Sequence, residues 1–237
     1  MALGQPQVGV DQGPAYIRSG GLHERLAADD WRIDDLGDVD LSRSGEQGQE
    51  FAQLHAAPGS GKVGDSPLAL NSLSVGYANY LVYQRAIEPA KAGKFVLTLG
   101  GDHSIAIGSI AAILKARPDT GIIWVDAHAD INTPISSNSK NIHGMVLAFL
   151  MDLDGCRASV PGFEWLDLEG VPRLDPSRLA YIGLRDLDWS EKQMIKSLQL
   201  RAYTMMDVDR MGIAKVCKLP ARIVAQAVPV SDGVSSS

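Results

Sequence analysis

Apolar stretches alternate with amphipathic stretches along most of this chain. Ile17, Leu22 and Leu26 recur at helical spacing, whereas the run from Phe95 to Leu99 is largely apolar, as expected of a buried strand. Residues 44–65 are polar and rich in Gly, Gln and Ser, which predicts a surface loop. The pattern predicts helices over residues 14–28, 66–92, 104–116, 141–151 and 191–198, and strands over residues 31–40, 95–99, 121–125, 179–183 and 201–205.

The alternation of strands and helices indicates the fold class. Several of the strands are apolar throughout, which is typical of a parallel sheet covered on both faces. We therefore expect an α/β three-layer sandwich, with a mostly parallel sheet flanked by helices. At 237 residues the chain is long enough for a single domain of this kind. We place that domain at residues 1–217 and a divergent, disordered tail at residues 218–237, where the periodicity weakens.

Composition and charge exclude some classes of partner. The formal net charge of −6 and the isoelectric point near 5.3 argue against a nucleic-acid-binding surface. The apolar run from Gly144 to Met151 is too short to cross a bilayer, so no membrane partner is expected. Cys156 and Cys217 form no disulfide framework, and no secretory signal is evident at the N-terminus. The predicted location is the cytoplasm.

Carboxylates and imidazoles follow two of the predicted strands. Asp126, His128 and Asp130 come directly after residues 121–125, and an extended backbone would place all three on one face. His103 follows the strand predicted over residues 95–99, and ligands bind at the carboxyl ends of parallel strands. Such a donor set predicts a metal site and favours manganese, with zinc, iron and cobalt left open.

Several motifs match one known family in series. Gly100–Ile110, which contains Gly-Gly-Asp-His-Ser, closely resembles the first metal motif of the arginase branch of the ureohydrolases, in particular the eukaryotic and fungal enzymes. Trp124–Pro134 resembles the second metal motif. Further similar segments are Asn141–Gly144, Pro161–Trp165, Tyr181–Asp188 and Asp207–Ile213.

The resemblance implies a binuclear manganese hydrolase that converts L-arginine to L-ornithine and urea by means of a metal-bridging hydroxide. Carried over by position, His103, Asp126 and Asp130 would ligate one metal, and His128 with the shared Asp126 would ligate the other. His143 would transfer a proton near the leaving amine, and catalysis would also depend on Asp130.

The resemblance also implies the substrate-binding residues. Asn132, Ser139 and Asn141 match positions that bind the substrate carboxylate, although these residue types also form turns. Asp188 matches the position facing the α-ammonium group, although it could equally cap a helix, and we assign Glu191 to substrate binding beside it. Agmatine lacks a carboxylate, so these positions favour arginase over the alternative, agmatinase.

Two departures from the family pattern affect the expected activity, and the first is that almost nothing precedes Gly9–Pro14, where the family has a strand. The family supplies six metal ligands, and no Ser-Phe-Asp-x-Asp segment with the last two follows Val216. The expected outcome is a chain truncated at both ends that holds one Mn²⁺ or none and has impaired or lost activity. The alternatives are an inactive isoform that binds intact subunits and a non-functional fragment. The family forms trimers or hexamers, so homo-oligomerisation is implied.

Overall fold

The computed structural model describes residues 3–55 and 63–218. The chain divides into two units, the first comprising residues 1–116 and 130–172 and the second comprising residues 117–129 and 173–237. That residues 1–217 act as one domain stays a prediction. Residues 213–218 are helical, and the rest of the predicted tail lies outside the described residues. Within the described ranges, no helix has the length and apolar character needed to span a membrane.

The described part of the first unit is built from helices. Both α3 and α5 pack against the long helix α4, and α6 is buried along its whole length. The α-helices of this unit are α1 (Gly13–Ser19), α2 (Leu22–Ala28), α3 (Ser44–His55), α4 (Ser72–Lys91), α5 (Ala106–Ala116), α6 (Val146–Met151), α7 (Cys156–Ser159) and α8 (Trp165–Leu168). Short 3-10 helices span Val10–Gln12, His103–Ile105, Ile142–Met145 and Leu153–Gly155.

Glycine allows α4 to approach its neighbours closely. A Cβ atom on Gly76 would lie 2.1 Å from the carbonyl oxygen of Gly162, and one on Gly108 would lie 2.2 Å from that of Asn79. The side chain of Asn79 accepts a hydrogen bond of 2.8 Å from the Gly108 amide. The contact between α4 and α5 therefore combines small residues with a buried polar bond.

The second unit contains a parallel three-stranded sheet in the order β1 (Ile122–Val125), β2 (Leu179–Leu184) and β3 (Arg201–Thr204). Ile122 pairs with Leu179, and Tyr181 pairs with Ala202. Every residue of β2 is buried, as expected of a central strand in a covered parallel sheet. Its α-helices are α9 (Trp189–Ser197) and α10 (Met205–Met211), and a 3-10 helix spans Pro176–Arg178.

Two predicted strands are wrong. Residues 31–40 and 95–99 have no regular secondary structure and pair with no strand of the described chain. Their apolar side chains stay partly in solvent, with Trp31 53% and Phe95 76% exposed. A strand needs a hydrogen-bonding neighbour as well as β-forming residues, so apolar composition misled the prediction at both places.

The loop predicted over residues 44–65 is also wrong, because α3 begins at Ser44 and ends at His55; residues 56–62 lie outside the described residues. Phe51 packs against Tyr77 and Tyr80, with ring centroids 5.4 and 4.7 Å apart. A Cβ atom on Gly48 would lie 2.5 Å from the Leu73 carbonyl oxygen. Packing against α4 thus outweighs the low helix propensity of this Gly- and Gln-rich segment.

The predicted helix over residues 14–28 is two helices, because Gly20 and Gly21 interrupt it and Gly21 adopts a φ of 85°. The helix predicted over residues 66–92 begins later, at Ser72. The other helices and strands lie where the sequence pattern predicts them, within a few residues.

Candidate metal and substrate site

His103 and Asp130, two of the predicted metal ligands, form a close pair. Their Nδ1 and Oδ2 atoms lie 2.8 Å apart within the first unit. The Asp130 side chain is 6% exposed and that of His103 is 40% exposed. Both side chains offer a ligand atom that a divalent cation could use.

Local backbone structure holds both members of this pair. Asp102 caps the 3-10 helix that contains His103, since its Oδ1 accepts a 2.9 Å hydrogen bond from the Ser104 amide. Asp130 has a φ of 48°, and its carbonyl oxygen accepts a 2.9 Å bond from the Leu147 amide. The extended geometry expected from Asp126 to Asp130 therefore does not hold, because β1 ends at Val125 and the chain turns at Asp130.

In the second unit, Asp126 and His128 follow β1. The Asp126 amide donates to the Ile182 carbonyl at 3.1 Å, which extends the pairing of β1 with β2 by one residue. The Asp126 carboxylate accepts a 3.0 Å bond from the His128 amide, and its Oδ1 lies 3.4 Å from His128 Nδ1. These two predicted ligands are therefore neighbours in space as well as in sequence.

Asp186 is a residue that the sequence reasoning missed. Its Oδ2 atom lies 3.5 Å from His128 Nε2, although its side chain is 83% exposed. The amides of Arg185 and Asp186 both donate to the Ala127 carbonyl, which fixes the loop after β2 beside the loop after β1. A usable signal existed, because Asp186 comes two residues after the end of β2, the strand that neighbours β1.

His143 lies in the 3-10 helix that precedes α6. Its Nδ1 atom lies 2.9 Å from the carbonyl oxygen of Gly4, and its backbone amide donates to the same oxygen at 3.2 Å. The predicted proton-transfer residue is therefore held by backbone 139 positions away in the chain.

The predicted carboxylate-binding residues lie in one loop of the first unit. Asn132 is buried, and its side-chain oxygen accepts a 2.9 Å bond from the Ser136 hydroxyl. Ser139 is exposed, and its hydroxyl oxygen accepts a 3.3 Å bond from the Asn141 amide. These side chains shape the loop as turn formers do, and the same polar groups could also face a carboxylate.

Asp188 and Glu191 form a capping box at the start of α9. The Asp188 side chain accepts from the Glu191 backbone, and Glu191 Oε2 accepts from the Asp188 amide at 3.0 Å. Of the two interpretations open at Asp188, the helix cap is present in the structure. Glu191 is buried, with 4% exposed, and its carboxylate accepts a hydrogen bond within this turn.

Comparison with known proteins identifies the family. The family model described as "Arginase family" matches residues 1–231. This chain belongs to the arginase family. It is 40% identical over 216 residues to human Arginase-1, an alignment that covers 90% of this chain and 60% of Arginase-1. The chain thus spans about 60% of the length of the curated relatives it matches.

Solved structures of arginases share the fold. The native arginase from Bacillus caldovelox superposes with a TM-score of 0.77 at 35% identity, covering 95% of this chain and 69% of that one. The Entamoeba histolytica arginase, solved in complex with L-ornithine, superposes with a TM-score of 0.66 at 26% identity over 95% of this chain and 69% of that one. The family prediction and the predicted class, a parallel sheet flanked by helices, are confirmed.

Proposed function

We propose that this protein takes part in the hydrolysis of L-arginine to L-ornithine and urea, and that His103, Asp126, His128 and Asp130 are manganese ligands. One observation carries the proposal. In the first unit, the buried carboxylate of Asp130 lies 2.8 Å from His103 Nδ1, and the two residues belong to the two motifs that resemble the family's metal motifs. The L-ornithine complex of the Entamoeba histolytica arginase supports the proposed product.

The chemistry of the donor set fits a hard or borderline divalent cation. Asp130 is a carboxylate with only 6% of its side chain exposed, and a buried carboxylate needs a positive partner. Imidazole and carboxylate donors together suit manganese, and softness alone leaves zinc, iron and cobalt possible. When bound, manganese lowers the pKa of water and stabilises the charge that develops in hydrolysis.

The remaining predicted residues have roles at the substrate. His143 exchanges a proton with the leaving amine, a role that suits an imidazole because one ring nitrogen can donate a proton and the other can accept one. Asn132, Ser139 and Asn141 present hydroxyl and amide groups to the substrate carboxylate. The Asp188 carboxylate caps α9 and still has lone pairs with which to accept hydrogen bonds from the α-ammonium group. Glu191 holds the backbone of Asp188 in place.

Assembly and location follow from the family alone. We extend the proposal to a homo-oligomer, a trimer or hexamer, that works in the cytoplasm on a small-molecule substrate. Neither nucleic acid nor membrane is expected as a partner, given the net charge of −6.

The test measures urea and metal on the same sample. The purified 237-residue chain is loaded with Mn²⁺, its metal content is determined, and urea release is followed with L-arginine and, separately, with agmatine. Asp130→Asn removes a ligand charge with little change in volume, and Asp209→Asn is the matched control at an exposed carboxylate. We expect Asp130→Asn to lose roughly 10- to 100-fold in Mn²⁺ affinity and the control to bind as the parent does.

Equal Mn²⁺ affinity in the parent chain and Asp130→Asn would refute the ligand assignment. Urea from L-arginine but not from agmatine would support the proposed substrate, whereas preference for agmatine would refute it. Metal binding without urea would favour the inactive isoform over hydrolysis by this chain.

A further inference from the structure

The peptide of Gly4 joins Asp102 and His143 of the first unit by hydrogen bonds on both sides. Its amide donates to Asp102 Oδ2 at 3.0 Å, in a buried contact. Its carbonyl oxygen faces His143, at 3.2 Å from the amide nitrogen and 2.9 Å from Nδ1. The preceding carbonyl, that of Leu3, accepts a 3.0 Å bond from the Asn71 side chain. A short N-terminal segment is thereby fixed at both the Asp102 and the His143 ends.

Only glycine fits at this position. A Cβ atom on Gly4 would lie 2.4 Å from Asp102 Oδ1 and 2.5 Å from Ser104 Oγ. Asp102 is 1% exposed and cannot move aside easily, because its Oδ1 also accepts from the Ser104 amide and hydroxyl. Asp102 thus caps its own 3-10 helix with one oxygen and holds the Gly4 peptide with the other.

The contact with Gly4 determines which nitrogen of His143 carries a proton. A carbonyl oxygen can only accept, so the 2.9 Å contact requires a proton on Nδ1. A neutral imidazole has a single N–H, and its other nitrogen then carries a lone pair. Nε2 is therefore the atom of neutral His143 that can take up a proton.

We propose that Gly4 is a positioning residue that fixes the Nδ1–H tautomer of His143 and reserves Nε2 for proton exchange. This inference rests on the proposed hydrolysis. In that reaction the charged imidazole gives its Nε2 proton to the amine nitrogen as the C–N bond breaks, and the bonding electron pair stays on that nitrogen. His143 returns to the neutral Nδ1–H form, which its bond to Gly4 stabilises. Asp102 contributes by holding the Gly4 peptide in register.

The tautomer can be measured without any activity. The full chain has five histidines, so ¹⁵N-histidine labelling and a long-range ¹H–¹⁵N correlation give one pattern for each ring. The spectrum is recorded above neutral pH, where an ordinary imidazole is neutral, and without Mn²⁺, which is paramagnetic. His143→Asn identifies the His143 pattern by its loss. We expect the Nδ1–H pattern for His143, and an Nε2–H pattern in the folded parent chain would overturn the proposal.

Substitution at residue 4 tests the link to catalysis. Gly4→Ala forces the peptide away from Asp102, whereas Gly64→Ala is the matched control because a Cβ atom added at Gly64 would meet nothing within 4 Å. We expect Gly4→Ala to mix the two tautomers of His143 and to lower kcat about 10- to 100-fold with little change in KM. The control is expected to keep both the parent tautomer and the parent kcat.

An unchanged tautomer and kcat in folded Gly4→Ala would overturn the proposal. If Gly4→Ala fails to fold, the tautomer seen in the parent spectrum still tests the proposal, and the stabilities of two His143 variants give a second test. The side-chain N–H of asparagine can replace Nδ1–H, so His143→Asn is expected to be more stable than His143→Ala. An Nδ1–H tautomer in a chain that releases no urea would refute the proposed function but not the bond to Gly4. Urea release by a chain with the Nε2–H tautomer would refute the role of Gly4 but not the proposed function.

Discussion

Arg157 offers the sharpest test of how the first unit is stabilised. Its side chain is fully buried, with an exposed fraction of 0%. The guanidinium donates to three backbone carbonyls at short distance: Phe149 at 2.8 Å, Leu150 at 2.7 Å and Val171 at 2.8 Å. It also reaches the carboxylate of Asp167 at 3.4 Å, a group that is 42% exposed. One side chain therefore joins the end of α6 to the segment after α8.

The expected loss in Arg157→Met follows from these contacts. A hydrogen bond from a charged donor contributes about 1.5–3 kcal/mol, so three short bonds contribute about 4.5–9 kcal/mol before the cost of burying the cation. That burial costs several kcal/mol, which methionine avoids, but methionine leaves three buried carbonyls without this donor. The partly exposed Asp167 adds little, since solvent screens the pair. We expect a net loss of about 3–5 kcal/mol in the free energy of unfolding.

Urea denaturation followed by circular dichroism measures this loss. A change of that size lowers the urea midpoint by about 1–2 M for a chain with an ordinary denaturant slope. Arg32→Met is the control, because Arg32 is exposed and surface substitutions change stability by about 0.5 kcal/mol or less. Arg157→Lys keeps the charge but loses the planar fork, so it is expected to fall between the two. A loss below about 1 kcal/mol in Arg157→Met would refute the reasoning, since it would mean that these carbonyls do not depend on the guanidinium.

Three further predictions concern packing and thiol chemistry. Gly76→Ala places a Cβ atom 2.1 Å from the Gly162 carbonyl oxygen, so it is expected to lower the free energy of unfolding by about 1–3 kcal/mol although alanine is the better helix former. Thermal melts of Gly76→Ala and of the control Gly64→Ala check this, and equal melting temperatures would contradict it. Burial raises the pKa of the Cys156 thiol to about 12, so iodoacetamide at about pH 8 should label the exposed Cys217 and reach Cys156 only after denaturation. The folded state favours the protonated Cys156 thiol. Its contribution to stability is therefore present below the ordinary pKa of 9.0 and is lost as the pH rises towards about 12. The free energy of unfolding of a Cys156→Ala variant, measured over the same alkaline range, should lack this part of the pH dependence.

Local pattern was sufficient where the apolar segment also has partners in the fold, as β2 has in β1 and β3. β2 is buried at every position, and its apolar run from Leu179 could be assigned from sequence. Residues 95–99 have the same character, yet Phe95 is 76% exposed and no described strand pairs with them. Sequence periodicity reports what a segment can bury, whereas strand formation depends on a neighbour elsewhere in the chain. The helix α3 shows the converse, because Phe51 packs on α4 although the surrounding residues look like a loop.

The candidate site shows the same division between chemistry and geometry. The motifs identified His103, Asp126, His128 and Asp130 from spacing, but they did not predict that the backbone turns at Asp130, where φ is 48°. Nothing in local sequence suggests that an aspartate in a metal motif holds a peptide 98 positions away.

The role of a histidine in proton transfer depends on which of its ring nitrogens carries the proton. The resemblance singles out His143 for proton transfer, but it does not say which of the two ring nitrogens is available. That choice depends on a carbonyl acceptor 139 positions distant, and the acceptor stays in place because Gly4 has no side chain to clash with Asp102. Since the acceptor is backbone, a substitution can remove it only by moving the chain. The absence of a side chain at Gly4 is therefore needed for the proton-transfer role of His143 as well as for packing against Asp102. The tautomer of His143 is the measurable quantity that connects the two.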